Sequence, residues 1–200
     1  MELSRCKRDL RLAPGRLRKE RLTLAGAAGW SLLHFLMPTL RIATPADLPA
    51  IVAISNQAIA ARNATADTTP FTVEARLDWF TTHSADEYPI YVCRADDGQV
   101  LGWLSLSPYR ERLALARTAE VSYYVDYASH GKGIGSALMQ YAITECPRLG
   151  KKVLVAILLE WNIPSIKLLE KFGFERWGFL PEVAEFSGGL CGHLYYGRKI

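Results

Sequence analysis

The chain has 200 residues, about half of them apolar and 22% charged, which is the composition of a globular domain with a substantial core. No run reaches the roughly 20 apolar residues that a membrane-spanning helix needs, so a membrane protein is not expected. The net charge of +4 originates in residues 1–21, which hold 8 of the 24 Lys and Arg but only 3 of the 20 Asp and Glu. The remainder is nearly neutral, which argues against a nucleic-acid-binding surface.

The cysteine and histidine residues show no metal-binding or disulfide pattern. The four cysteines lie far apart without a Cys-x-x-Cys pair, and the four histidines lack ligand spacing. The sequence therefore predicts reduced thiols, a cytoplasmic location and no metal.

Residues 1–39 form a basic stretch followed by an apolar one, which superficially matches a secretory signal. The apolar stretch ends at Pro38 without a clear cleavage site and runs into the first strand of the domain. We expect a poorly ordered extension; an organellar presequence and translation from an upstream start are the alternatives. The domain is then residues 40–200.

The first half of the domain is predicted to contain a strand, two helices and a hairpin. Leu40–Ile42 is apolar and strand-like. Thr44, with Pro45 and Asp47 behind it, is a typical start of a helix that continues to Ile59. The later elements are a second helix capped by Thr72 and a hairpin of Ile90–Cys93 with Val100–Leu106.

The second half alternates strands and helices, without an internal repeat or a linker. One domain is therefore expected. The predicted elements are a strand near 116–125, a helix near 133–149, a strand at 153–158, a short helix from Pro164, and strands near 175–179 and 192–199.

The segment Gly131–Gly135 joins a strand to a helix and has the sequence Gly-Lys-Gly-Ile-Gly. Glycines let the backbone approach an anion closely, and the free N–H groups at the start of a helix favour negative charge. The loop lies past mid-chain and lacks the last glycine of a dinucleotide-binding fingerprint, and no Gly-Lys-Ser/Thr follows, so neither a Rossmann site nor a P-loop is indicated. A ligand that carries a diphosphate is predicted.

This order of elements, with Glu120 on the strand before the loop and Phe172-Gly173-Phe174 closing the short helix, resembles the GNAT family of acetyl-CoA-dependent N-acetyltransferases. The motifs at 44–47, 67–70, 120–126 and 165–174 are most similar to the phosphinothricin acetyltransferase and L-amino acid N-acyltransferase group. The resemblance implies an α/β (α+β) fold, with a twisted, mixed but mostly antiparallel sheet of about seven strands and about four helices. It also implies acetyl-CoA and a small amine as substrates, with a homodimer as the common assembly.

Glu120 is the candidate general base. It is a carboxylate in an otherwise apolar strand, and a free amine needs a base because its pKa lies above neutrality. The resemblance places a base at this motif position. The alternatives are a glutamate on a solvated strand edge or in a structural ion pair.

The resemblance also implies the residues that contact the cofactor. The strand before the loop would bulge and pair with the pantetheine arm, with a backbone N–H near Val125 directed at the thioester oxygen. His130 stands where the family usually has Arg or Gln. The implied contacts are Tyr124, Val125, Asp126, His130, the amides of Lys132, Gly133, Gly135, Ser136 and Ala137, and Asn162.

Leu169 departs from the family pattern, because many members place Tyr or His there to protonate the leaving thiolate. Tyr124, Tyr195, Tyr196 or solvent would have to replace it, or catalysis would be weak. Residues 63–69 and 182–193 are expected to contact the acceptor. A protein acetyltransferase and a non-catalytic acyl-CoA-binding module remain as alternative functions.

Overall fold

The computed structural model describes residues 38–200, so the prediction of an extension lies almost wholly outside the described residues. A seven-stranded sheet with four helices confirms the predicted fold class. The strands are β1 (Thr39–Ile42), β2 (Ile90–Arg94), β3 (Val100–Pro108), β4 (Thr118–Val125), β5 (Val153–Leu159), β6 (Glu175–Phe186) and β7 (Gly189–Lys199), in the sheet order β1-β2-β3-β4-β5-β7-β6. The helices are α1 (Leu48–Ala61), α2 (Val73–Thr82), α3 (Ile134–Glu145) and α4 (Ile163–Lys171).

Side chains fix the starts of the helices as the sequence suggests. Asp47 accepts hydrogen bonds from both the backbone N–H and the hydroxyl of Thr44, although the first turn is a 3-10 turn and α1 itself begins at Leu48. The hydroxyl of Thr72 caps α2 by accepting the N–H of Ala75 at 3.1 Å. These caps satisfy N–H groups that a helix leaves unpaired at its start.

Hydrophobic clusters form on both faces of the sheet. The larger one packs α3 and α4 against the central strands and includes Leu138, Met139 and Leu154, all fully buried. The smaller one lies under α1 and α2 around Trp103 and Ile51. The two layers of helices hold the central strands from opposite sides.

The sheet opens between its two central parallel strands. β4 pairs with β5 only from Thr118 to Glu120, whereas its pairing with β3 continues to Val125. In this register the N–H of Asp126 donates to Leu101 of β3, so the even-numbered residues of β4 bond β3 and the odd-numbered ones face the opening. The backbone of Tyr123 and Val125 therefore faces a gap in the sheet.

The two C-terminal strands, predicted near 175–179 and 192–199, are longer than expected. Residues 182–193, which were expected to contact the acceptor, belong mostly to a long hairpin of β6 and β7. Two register shifts and a positive φ of 53° at Glu182 interrupt its pairing, which hides the strand pattern in the sequence. Helix α3 also ends at Glu145, four residues before the predicted Leu149.

Candidate active site

A run of unpaired backbone amides lies at the start of α3. Among the described residues, no acceptor is found for the N–H groups of 131–136. The N–H of Ala137, which was predicted to contact the anion, donates to the carbonyl of Gly133 at 3.0 Å and so takes part in the first turn of the helix. Gly131 and Ile134 were not predicted and extend the set. Six consecutive free donors at a helix N-terminus form a site for an anion.

The glycines of this loop have separate reasons to be there. Gly131 and Gly133 have φ of 75° and 81°, where residues with a Cβ are strained. Gly135 is helical, but a Cβ there would come within 3.2 Å of the Leu168 side chain. The loop therefore lies close against α4 while its amides point outward.

A cavity of about 700 Å³ connects the free amides to the opening between β4 and β5. Seven predicted contact residues line it, whereas Asp126, Lys132, Ala137 and the base candidate Glu120 do not. The seven are Tyr124, Val125, His130, Gly133, Gly135, Ser136 and Asn162. The set of contact residues predicted from the sequence therefore overlaps the lining of this cavity in part.

The side chain of Asp126 is engaged elsewhere. Its carboxylate accepts hydrogen bonds from Gln57 of α1 at 2.8 Å and from the Ser129 hydroxyl at 3.4 Å. Gln57 in turn accepts the N–H of Tyr127 at 2.9 Å. Asp126 thus ties the end of β4 to α1 and supports the loop from behind.

His130 and Asn162 flank the cavity. A ring nitrogen of His130 lies 3.0 Å from the carbonyl of Val125, to which its N–H can donate, so the imidazole bridges the loop and the end of β4. Asn162 is 91% buried, since its exposed fraction is 9%, and its amide oxygen caps α4 by accepting the N–H of Ser165. Asn162 therefore has a structural role and also faces the cavity.

A second, smaller cavity of about 50 Å³ lies within the gap itself, between β4, β5 and α4. Leu169, fully buried, lines it and offers no polar group. Tyr123, which the sequence prediction missed, lines both cavities and donates its hydroxyl to the carbonyl of Ser165 at 3.5 Å. Burial raises the pKa of Tyr123 to about 12, so this hydroxyl stays protonated.

Glu120 lies on β4 in a partly buried environment, on the face of the sheet covered by α1 and α2. Its carboxylate forms no hydrogen bond or salt bridge within the described part of the chain. Burial raises the pKa of Glu120, and the positive charge of Arg110 offsets this only in part. An unpaired carboxylate with a raised pKa is suited to accept a proton near neutral pH.

The comparisons with known proteins agree with this geometry. A model of the acetyltransferase (GNAT) family matches residues 55–174. The chain belongs to the GNAT family. Its enzyme class is therefore that of the GNAT N-acetyltransferases.

Several relatives of this GNAT chain carry names for amino-acid analogues. A Bacillus subtilis protein named as a phosphinothricin acetyltransferase is 47% identical over 81% of this chain and 99% of the relative. The L-methionine sulfoximine/L-methionine sulfone acetyltransferase of Pseudomonas aeruginosa is 37% identical over 75% of this chain and 87% of the relative. The chain thus falls in the phosphinothricin and amino-acid acetyltransferase group of GNAT enzymes.

A solved structure extends the similarity to the fold. The GNAT phosphinothricin acetyltransferase of Sinorhizobium meliloti, solved in complex with acetyl-CoA, is 29% identical with a TM-score of 0.78. The match covers 82% of this chain and 89% of that structure. Within residues 38–200, no helix is long and apolar enough to cross a membrane. The same residues contain no group of three or more potential metal ligands.

Proposed function

We propose that this N-acetyltransferase moves the acetyl group of acetyl-CoA to the primary amine of a small substrate, an amino acid or an analogue such as phosphinothricin, methionine sulfoximine or methionine sulfone. The observation that carries the proposal is the continuity of the free amides at 131–136 with the opening between β4 and β5. The names of the relatives support the acceptor class.

The binding mode follows from the shape of the cavity. The diphosphate rests on the free N–H groups of the loop, where the start of α3 also favours negative charge. The amide-rich pantetheine arm then extends into the gap and pairs with the exposed backbone of Tyr123 and Val125, in the manner of an added strand. The carbonyl of Val125 already bonds His130, so the ring has to share or leave this contact.

Acetyl transfer is direct, from thioester to amine in a ternary complex. Glu120, acting directly or through a water molecule, takes a proton from the amine, and the amine nitrogen attacks the thioester carbon. The N–H of Val125 stabilises the negative charge that develops on the carbonyl oxygen. The new C–N bond forms as the C–S bond breaks, and the thiolate of coenzyme A leaves.

The leaving thiolate has no partner at Leu169, because this side chain is apolar and buried. The Tyr123 hydroxyl, which reaches the carbonyl of Ser165 on α4, supplies a hydrogen bond to the thiolate, which then takes its proton from water. The phenol itself keeps its proton, in accord with its raised pKa.

The test is thiol release from acetyl-CoA with a panel of free amino acids, amino-acid analogues and short peptides. Turnover on free amino acids with retention of acetyl-CoA binding by calorimetry is the expected result. Binding without turnover on any amine would instead support an acyl-CoA-binding module, a role that the apolar Leu169 favours. Turnover on peptides alone would indicate a protein acetyltransferase.

The assembly and location complete the proposal as a cytoplasmic homodimer, with residues 40–200 as the catalytic domain. The β6–β7 hairpin exposes large apolar side chains that a second copy would cover, namely Trp177, Phe179, Leu180, Val183 and Leu190. Exposed apolar patches of this kind mark interaction surfaces. Sedimentation equilibrium, in which a monomer would contradict the proposal, measures the state directly.

A further inference from the structure

Arg76 of α2 has a half-buried guanidinium without a hydrogen-bond partner. Its central carbon lies 4.1 Å from the centre of the Phe71 ring and 4.6 Å from that of Trp79. No hydrogen bond or ion pair joins it to any residue of 38–200. Contact with aromatic rings uses the flat faces of a guanidinium and leaves the N–H groups at its edge available.

The surrounding structure holds this cation in place. Asn56 of α1 makes two hydrogen bonds of 2.9 Å to the backbone of Phe71, one to its N–H and one to its carbonyl. Trp79 packs edge-on against the fully buried Trp103, with ring centres 5.6 Å apart. These contacts fix the two aromatic residues on which Arg76 rests and so favour one position of its guanidinium.

Arg76 is not electrostatically balanced by the protein. The negative charge of Asp67 attracts Arg76, yet the two form no salt bridge, and the Asp67 carboxylate accepts the Thr65 hydroxyl at 2.8 Å instead. Burial lowers the pKa of Arg76, and the attraction of Asp67 does not offset it. An anion that binds the free edge would supply the missing stabilisation.

The location of Arg76 connects it to the proposed chemistry. Arg76 stacks on Trp79, which packs against Trp103. Trp103 in turn stacks on Tyr124, with ring centres 4.9 Å apart, and Tyr124 lines both cavities. Arg76 therefore belongs to one aromatic cluster with Tyr124, on the face of the sheet beneath α1 and α2 that also carries Glu120. An acceptor bound over this cluster would present its amine towards Glu120 and its anionic group to Arg76.

We infer that Arg76 binds the α-carboxylate of the acceptor, which makes the site selective for free α-amino acids over amines without a carboxylate. The inference rests on the proposed function and deepens it. The planar edge of a guanidinium matches a carboxylate with two parallel hydrogen bonds, which an ammonium does not reproduce.

The test compares L-methionine sulfone with its α-carboxamide, which keeps the amine and the side chain but lacks the negative charge. For Arg76→Gln we expect kcat/KM on the acid to fall by about 10- to 100-fold, mainly through KM, and that on the amide to change by less than about threefold. Arg76→Lys retains the charge and is expected to lie between the wild type and Arg76→Gln.

Two control variants test other positive charges, and two further measurements test folding. Arg112→Gln removes an exposed charge from the β3–β4 connection and is expected to leave both substrates unaffected. Arg110→Gln tests the other cation near Glu120. The acetyl-CoA affinity and thermal midpoint of Arg76→Gln show whether the variant is folded.

Equal losses on the acid and the amide would overturn the inference, because they would show that Arg76 acts through structure. Selectivity lost in Arg110→Gln but kept in Arg76→Gln would assign the carboxylate to Arg110 and also overturn it. Wild-type enzyme that acetylates acid and amide equally well refutes the inference while the proposed function stands. Failure of the wild type on every amine refutes both.

Discussion

Replacement of Glu120 by glutamine tests the proposed base with two opposite effects. The carboxamide has the same shape but cannot accept the amine proton, so kcat/KM is expected to fall by about 100-fold or more. This corresponds to about 2.7 kcal/mol of lost transition-state stabilisation. Acetyl-CoA binding is expected to be unchanged, because Glu120 does not line the large cavity.

The stability of Glu120→Gln is expected to move the other way. Loss of a charged hydrogen bond costs about 1.5–3 kcal/mol, but the carboxylate of Glu120 forms none within the described residues, so this loss is absent. Burial raises its pKa in the folded state above that in the unfolded state. The folded protein is therefore penalised above the folded-state pKa, where the carboxylate is ionised, and this penalty disappears as the pH falls below the unfolded-state pKa.

The assays are steady-state kinetics across pH and thermal unfolding at two pH values. In the wild type, kcat/KM should rise with pH as Glu120 loses its proton, and this limb should be absent in Glu120→Gln. The thermal midpoint of the variant should equal or exceed that of the wild type at pH 7.5, with the gain shrinking towards pH 5. Activity within threefold of the wild type, or a clear drop of the midpoint at pH 7.5, would refute the assignment of Glu120 as an unpaired base.

Three further predictions follow from single contacts. Ser136→Asp places an acid in the first turn of α3 next to Lys171, which donates to Ser136 at 3.2 Å. The variant is expected to be more stable by about 0.5 kcal/mol but to bind acetyl-CoA at least about tenfold more weakly by calorimetry. Acetyl-pantetheine, which lacks the diphosphate, should be an equally good substrate for the variant and the wild type. Leu169→Ala opens a cavity at a fully buried site and is expected to cost about 3–5 kcal/mol in urea unfolding; a cost below about 1 kcal/mol would mean that this side chain is not in the core. Asp47→Ala removes two hydrogen bonds of 2.8 Å from Arg41 and a helix cap, and is expected to cost about 3 kcal/mol at pH 7. Despite burial, these bonds lower the pKa of Asp47, so this difference should persist above its unfolded-state pKa and vanish as the pH falls through the lower folded-state pKa; a pH-independent difference would contradict the ion pair.

The sequence located what depends on local conformation and missed what depends on distant contacts. The glycines at 131 and 133 require positive φ, and this local need marks the anion loop without any knowledge of the fold. The exact set of free amides depended on where α3 begins, and a shift of one residue changed the status of Ala137. The base candidate was visible because a carboxylate interrupts an apolar strand.

Other parts were not accessible from sequence patterns. The long hairpin of β6 and β7 is mostly exposed along β6 and interrupted near Glu182, so neither alternation nor apolar runs reveal it. The frame around Arg76 joins residues from two helices and the sheet, and the ring contacts follow from tertiary packing rather than from spacing. Tyr123 was passed over because its neighbour Tyr124 offered the same chemistry with no sign of which side chain would face α4.

The three paired residues that connect β4 and β5 leave the two halves of the sheet weakly joined at their centre. A ligand that bonds the backbone of Val125 on one side and packs along β5 on the other would connect these halves reversibly. Bound acetyl-CoA is then expected to raise the melting temperature with its concentration, as any ligand of the native state does, and to slow amide hydrogen exchange across the seam. Each catalytic cycle would end with the departure of coenzyme A, so product release and the loosening of the sheet become the same event.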